Sequence, residues 1–359
     1  MTGRKPSPGI HSKNSSNKHL VFWRAGKSFS QSFLLTTGVI FALAVSLWAE
    51  DAALRQRAEA LWAKAEDVSK IDDKKMAPYH EEGTFTLYHV HAGELQGTYR
   101  KEFADVDNWL EEIRLGPYQK FSIHKGDKLY KFENAEFTPR GVQQLTNALP
   151  PHKVEADKNE SVRKIRSRKL NGVAAVCVEA QIPFPFEAAK HETCMSEADA
   201  TLLSELKWDQ TMTYSSYQPF EGKLPPTRFE VRLGKTKTLD GELRYRERPD
   251  LTAASIEVPT GARLEPQCKD KVPVKAEYKP DPEMPAGHHV PGVNVTVALE
   301  ARIGADGLLK NTMVSQTGGK DFDKAALDAV RMWHFKPSLC DGVPVEMNIS
   351  IETNFRSSQ

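Results

Sequence analysis

The run Val293-Asn294-Val295-Thr296-Val297-Ala298-Leu299-Glu300-Ala301-Arg302-Ile303, followed by Gly304-Ala305-Asp306-Gly307, decides how the carboxy-terminal part of this chain folds. Its odd positions are apolar and its even positions are polar or small. Successive side chains of a strand point to opposite faces, so this alternation predicts a strand with one buried face. The glycines at 304 and 307 supply the positive backbone torsions of a hairpin, and residues 308–314 are expected to return. Thr317-Gly318-Gly319 breaks the chain again. Asp321 is expected to cap a helix that places Phe322, Ala325, Ala326, Ala329, Val330 and Trp333 on one side, at spacings of three and four. After Phe335-Lys336-Pro337, the Asp341-Gly342 turn leads to a closing strand over 343–351 in which Val343, Val345, Met347, Ile349 and Ile351 face one way.

The glycine-flanked hairpin, Thr317-Gly318-Gly319, Phe322-Asp323-Lys324-Ala325-Ala326-Leu327-Asp328-Ala329-Val330, Trp333-His334-Phe335-Lys336-Pro337, Asp341-Gly342-Val343-Pro344-Val345 and the final Asn354-Phe355 recur in a familiar order. Together they resemble the C-terminal domain of the TonB family, periplasmic proteins that carry inner-membrane energy to outer-membrane transporters. The resemblance covers about a fifth of the chain. It implies a small ββαβ domain that takes up the short N-terminal peptide of an outer-membrane transporter as an added strand. The docking segment would be Val345, Glu346, Met347, Asn348, Ile349 and Ser350. A sheet edge has unpaired N–H and C=O groups that can accept an extended peptide; the alternative is an edge already covered by the linker or by a second copy. Two departures stand out. Pro280-Asp281-Pro282-Glu283-Met284-Pro285 replaces the tyrosine-proline and alanine-arginine turn that usually precedes the first strand, and residues 33–49 lack the single-histidine motif that couples family members to the inner-membrane proton-driven motor proteins.

Residues 1–49 contain Arg4, Lys5, Lys13, Lys18, Arg24 and Lys27 and no acid. The apolar stretch 33–49 would extend roughly 25 Å as a helix, just short of a hydrocarbon core of about 30 Å. It reads either as a signal peptide cleaved after Ala49 or as an uncleaved inner-membrane anchor with its basic tail in the cytoplasm. Both readings export the rest to the periplasm, and motor proteins are partners only under the second. Export gives meaning to the even set Cys177, Cys194, Cys268 and Cys340. The favoured pairing joins Cys177 to Cys194 across the Ile182-Pro183-Phe184-Pro185 turn and Cys268 to Cys340; the alternative is free thiols packed as small apolar residues.

Between these ends, Leu54, Ala58, Leu61, Trp62, Ala65 and Val68 make a helical stripe. Short alternating runs then predict strands at 84–91, 96–103, 108–115, 119–124 and 128–132, a helix at 138–149 with Val142, Leu145 and Leu149 on one side, and strands at 162–169, 173–181, 209–217, 228–233 and 242–248. One long antiparallel sheet with two helices hides its apolar face most simply by curling around them as a half-barrel. That texture, with the exit Val258-Pro259-Thr260-Gly261, resembles the outer-membrane lipoprotein carrier. The resemblance implies a lipid groove lined by Tyr88, Tyr99, Trp109 and Phe121; the plainer reading packs these aromatics on the Trp62 helix. Pro273, Pro280, Pro282, Pro285 and Pro291 predict an extended, semi-rigid spacer.

The expected organisation is α+β. An export or anchor segment (1–49) precedes a half-barrel with helices on its concave side (50–265), a proline-rich linker (266–291) and a TonB-type ββαβ domain (292–357). A net charge of +1 gives no basic face for nucleic acid. His89 and His91 share a strand face but have no third ligand at a usable spacing, and His191-Glu192-Thr193-Cys194 is not the His-Glu-x-x-His zinc spacing. Glu81-Glu82 and Glu111-Glu112 point to opposite faces of their strands. No catalytic residue, metal or cofactor is expected. The sequence reads as a non-catalytic envelope protein, with a lipid or lipoprotein carrier bearing a docking module as the alternative.

Overall fold

Ala58, Trp62 and Ala65, spaced by four and three, are almost fully buried and turn one side of helix α1 (residues 52–69) onto a sheet. The computed structural model describes residues 52–89, 93–149, 160–181, 190–207, 209–288, 292 and 294–356. The apolar segment 33–49, the 182–185 turn and His91 lie outside the described residues. No helix among the described residues is long and apolar enough to cross a membrane.

A first meander runs through β1 (Tyr79–His89), β2 (Gly93–Asp105), β3 (Asn108–Leu115), β4 (Tyr118–Lys125) and β5 (Lys128–Glu133). Helix α2 (Arg140–Ala148) follows. A second meander runs through β6 (Ser161–Leu170), β7 (Val173–Gln181), β8 (Lys190–Ser196), β9 (Leu202–Lys207), β10 (Gln210–Tyr217), β11 (Pro226–Leu233) and β12 (Thr236–Glu247). Strand β12 pairs with β1, and β13 (Arg263–Glu265) adds to β5, giving one antiparallel sheet of thirteen strands. Laid flat it would be about 60 Å wide, far more than two helices about 10–12 Å across can cover. Yet Tyr118 of β4 and Val162 of β6, from opposite arms, share one core with Trp62 of α1 and Leu145 of α2. The sheet therefore curls around the helices. Glycine helps at its centre: Phe85 lies opposite both Gly97 and Gly241, and a Cβ on Gly97 would come within 2.1 Å of the Phe85 ring.

The sequence reading missed β8 and β9. Strand β8 is Lys190-His191-Glu192-Thr193-Cys194-Met195-Ser196, which shows no polar–apolar alternation because six of its seven residues are buried. Periodicity is silent for a strand covered on both faces.

The C-terminal module contains β14 (Lys271–Val272), β15 (Lys275–Tyr278), β16 (Asn294–Ile303), β17 (Leu309–Gln316), α3 (Lys320–Arg331), β18 (His334–Lys336), β19 (Ser338–Cys340), β20 (Val343–Val345) and β21 (Met347–Arg356). Strand β16 lies between β17 and β21. Val297, Leu299, Ala301 and Ile303 meet Phe322, Ala326 and Val330 of α3, with Ile351 and Phe355 completing the core.

Three expectations need correction here. The helix cap is not Asp321. Gly319, at φ +106°, stands at the helix start, and the Asp323 carboxylate accepts hydrogen bonds from the Gly318 N–H (2.8 Å) and the Thr317 hydroxyl (2.6 Å). The closing strand is two strands. Val343–Val345 turns back onto Ser338–Cys340 through Asp341 and Gly342, both at positive φ, and only from Met347 does the chain pair with β16. Finally, the linker is no spacer. Strand β14 pairs with β19, β15 pairs with β18, and the Pro280 carbonyl accepts the Trp333 indole N–H at 3.0 Å.

Candidate functional site

The register of β21 runs from Met347 opposite Ile303 to Arg356 opposite Asn294, so all ten residues pair with β16. Among the described residues no strand lies on its other side. Ile351, Thr353 and Phe355 are buried beneath α3, where Phe322 meets Phe355 edge-on at 5.0 Å. Asn348, Ser350, Glu352 and Asn354 are exposed on the opposite face. The result is a rigid edge strand, backed by a helix on one face and polar on the other.

Two short strands of the module, β18 and β19, pair with its own linker, while β17 and β20 are outer strands of their sheets. Strands β14 and β15 supply the missing partners of β19 and β18, the Ser338 hydroxyl donates to the Val272 carbonyl at 2.9 Å, and Lys336 pairs with Glu277 at 2.9 Å. The Cys268–Cys340 disulfide pins the start of this strap, while Cys177–Cys194 joins the neighbouring strands β7 and β8 in the large sheet.

The polar face of the small sheet meets the first domain. Glu300, on the face that alternation assigns to solvent, lines this seam and is almost completely buried, and Ala298 of the same face, between Gln316 and Glu352 of the flanking strands, is buried too. Glu136, in the turn between β5 and α2, receives a hydrogen bond from Asn311 (2.5 Å) and pairs with Arg302 (3.5 Å), and its carbonyl accepts from Asn348 (3.2 Å). Arg302 also spans to Glu346 at 3.5 Å and lies 5.9 Å from the Phe137 ring. Arg140 of α2 pairs with Glu352 at 2.9 Å. A polar cleft of about 320 Å³ runs beside this seam, lined by Gln143, Gln144, Asn147, Gln210, Glu300 and Ser350 among others.

Of the six expected docking residues, Met347, Asn348, Ile349 and Ser350 lie on the edge strand, Val345 pairs with Ser338 in the β19–β20 hairpin, and Glu346 is the switch between them. The four groove aromatics do not share a face. Tyr99 and Trp109 point toward the helices: Tyr99 is in the main core, and Trp109 packs against it and stacks on His124 at 5.7 Å. Phe121 lies on the other face with Ile123 and Leu251, and Tyr88 donates to Asp240 at 3.0 Å under the Lys237 ammonium. Strand parity separates them, so they do not form one groove.

Two titratable groups that the sequence shows only as half of an adjacent carboxylate pair and as part of a failed zinc spacing are buried, which neither pattern signals. Glu81, opposite Lys101 on β2, is fully buried and neither carboxylate oxygen has a hydrogen-bond partner. Burial pushes its pKa up to about 8, against the opposing pull of Lys101. His191 sits between Glu160 (2.7 Å) and Glu205 (3.1 Å). Burial alone would lower its pKa; the two carboxylates more than offset this and raise it. Both groups lie inside the first domain, remote in sequence from the edge strand, and among the described residues no cluster of three or more ligating side chains could hold a metal.

Residues 291–357 match the family described as the C-terminal region of the Gram-negative bacterial TonB protein. They are a TonB C-terminal domain. Protein TonB of Vibrio cholerae serotype O1 is 33% identical over 106 residues, covering 29% of this chain and 41% of that protein. The chain therefore spans about two fifths of the length of that curated relative. Among solved structures, a LolA superfamily protein from Nitrosomonas europaea is similar at 14% identity and a TM-score of 0.39, over 56% of this chain and 97% of that one. A DUF1329 family protein from Desulfovibrio piger is similar at 10% identity and a TM-score of 0.41, over the same shares. With the antiparallel thirteen-stranded sheet and two helices of its first domain beside the TonB C-terminal domain, the chain as a whole is α+β.

Proposed function

We propose that this chain is a non-catalytic protein of the cell envelope whose TonB C-terminal domain recruits another polypeptide as an added strand along β21. The observation that carries this reading is the pairing pattern of the module: its own linker pairs with β18 and β19, while among the described residues the outer sides of β21 and β17 have no strand partner, and β21 is the longer of these two edges and the one paired to β16 without a bulge. An added strand would satisfy the outward backbone groups of β21 and set alternate side chains above Ile349 and Ile351 or beside Asn348 and Ser350. The partner we favour is the N-terminal peptide of an outer-membrane transporter, with residues 50–265 placing the module in the periplasm. Energy from inner-membrane motor proteins would reach it only if 33–49 remains in the membrane.

Titrating isotopically labelled protein with a synthetic transporter N-terminal peptide tests this. The expected result is backbone amide shifts concentrated in residues 347–356. Shifts confined to β17 or to the large sheet, or none at peptide concentrations near 1 mM, where binding of about −4 kcal/mol would still register, would remove the proposal.

A further inference from the structure

The covalent path between the two domains is shorter than the linker's composition suggests. Strand β13 ends at Glu265, which is paired with Leu129 of β5 and bridged to Lys131 at 2.9 Å. Cys268 is already tied to Cys340. Between these two anchored residues stand only Pro266 and Gln267. Beyond Cys268, Asp270 exchanges two hydrogen bonds with Asp341 (2.7 and 2.8 Å), and Val274, Ala276 and Met284 pack on the module's core. The strap therefore moves with the module.

The non-covalent path is polar. The two main cores share no residue. Across the seam run the Glu136 contacts to Arg302, Asn311 and Asn348 and the Arg140–Glu352 pair, with Phe137 under the Arg302 guanidinium as the apolar element. Glu352, Asn348 and Asn311 are exposed and Arg302 is half-buried. Ion pairs in such surroundings hold weakly and are screened by salt. A large hydrophobic interface would fix two domains; one built from partly exposed charges permits relative motion.

We propose that the TonB C-terminal domain and its strap form one hinged body, which turns about Pro266-Gln267 and is held closed by a polar clasp centred on Glu136. Opening uncovers the outward side chains of Asn348 and Glu352, which the closed form engages. The hinge stands on geometry alone; its consequence for docking rests on strand addition at β21.

The test reads distance without any partner. Donor and acceptor fluorophores are introduced as non-natural amino acids at Leu95 and Met332, both exposed and in different domains, and energy transfer is followed in single molecules. At about 0.05 M salt one closed distance should dominate. At about 1 M, where the Debye length falls to about 3 Å, a second distance should grow. The Glu136→Ala, Arg140→Ala double variant should raise the open-to-closed ratio about fivefold or more at low salt. If that variant loses its fold, inserting Gly-Ser repeats between Pro266 and Gln267 touches neither core and should broaden the open distance while leaving the closed one in place. A single distance, unmoved by salt and by insertion, would overturn the hinge. Opening without peptide binding would instead leave the hinge standing and remove the docking role.

Discussion

The large first domain and the small C-terminal module bury the same kind of surface, one apolar face of an antiparallel sheet, by different means. The first wraps thirteen strands around two helices and has core enough to hold Glu81 and His191 in its interior. The second has three main strands and one helix, and it recruits its own linker: two short strands, an indole-to-carbonyl hydrogen bond and a disulfide tie the linker to β18, β19 and Trp333. A domain below about 70–80 residues seldom gains enough from its core alone and needs such staples. The linker is consequently spent on stability rather than on reach, and among the described residues β21 and β17 remain the outer strands of the main sheet.

The comparison breaks most readily at the cores. Leu299→Ala should cost the module about 2–5 kcal/mol and Leu145→Ala a similar amount in the first domain, each visible as one shifted transition in chemical denaturation. A single merged transition in both variants would show that the two cores are not separate folding units.

The disulfides offer the next test. Cys268–Cys340 encloses a sequence separation of 72 residues against 17 for Cys177–Cys194. By loop-closure entropy, replacing the first pair with serines should cost about 4 kcal/mol, and the second about 1 kcal/mol less. Equal losses in calorimetry would mean that the strap is held by its ladders and not by its pin.

Protonation should separate the domains further. Glu81 has a folded pKa of about 8 against an ordinary value of 4.5. Its contribution is favourable below pH 4.5 and is lost as pH rises through about 8. Glu81→Gln should therefore match the parent protein in acid and exceed it at pH 8, by up to about 4 kcal/mol. His191, also raised, contributes fully below its unfolded value of 6.5 and loses that contribution as pH climbs through its folded pKa. His191→Gln should flatten this smaller slope. Both effects belong to the first domain's transition; the module's should not follow either substitution, and thermal melts from pH 4 to 9 would show whether it does.

Much of this architecture was legible beforehand. The predicted strands 108–115 and 173–181 coincide with β3 and β7, and the stripe on α1 is the buried one; β7 is covered on both faces, by Val178 and Ala180 in the main core and by Ala175 and Cys177 in a second cluster, and is legible as a short apolar run rather than by alternation. The closing strand was legible only in part. Val343, Val345, Met347 and Ile349 alternate without a break, so periodicity could not locate the change of partner at Glu346. The scattered aromatics illustrate the same limit. Which face Phe121 shares with Tyr99 depends on the register of three strands, and a shift of one residue reverses it.

The amino-acid order by itself determined the periodicities, the glycine turns and the helix stripes, since each depends on neighbours within a few residues. Only the tertiary structure decided that the linker lies back on the module, that Ala298 and Glu300 are covered on the supposedly open face, and that β21 has no outer strand among the described residues. Those outcomes depend on which distant segments compete for the same backbone hydrogen bonds, and local preference is nearly indifferent among the competitors.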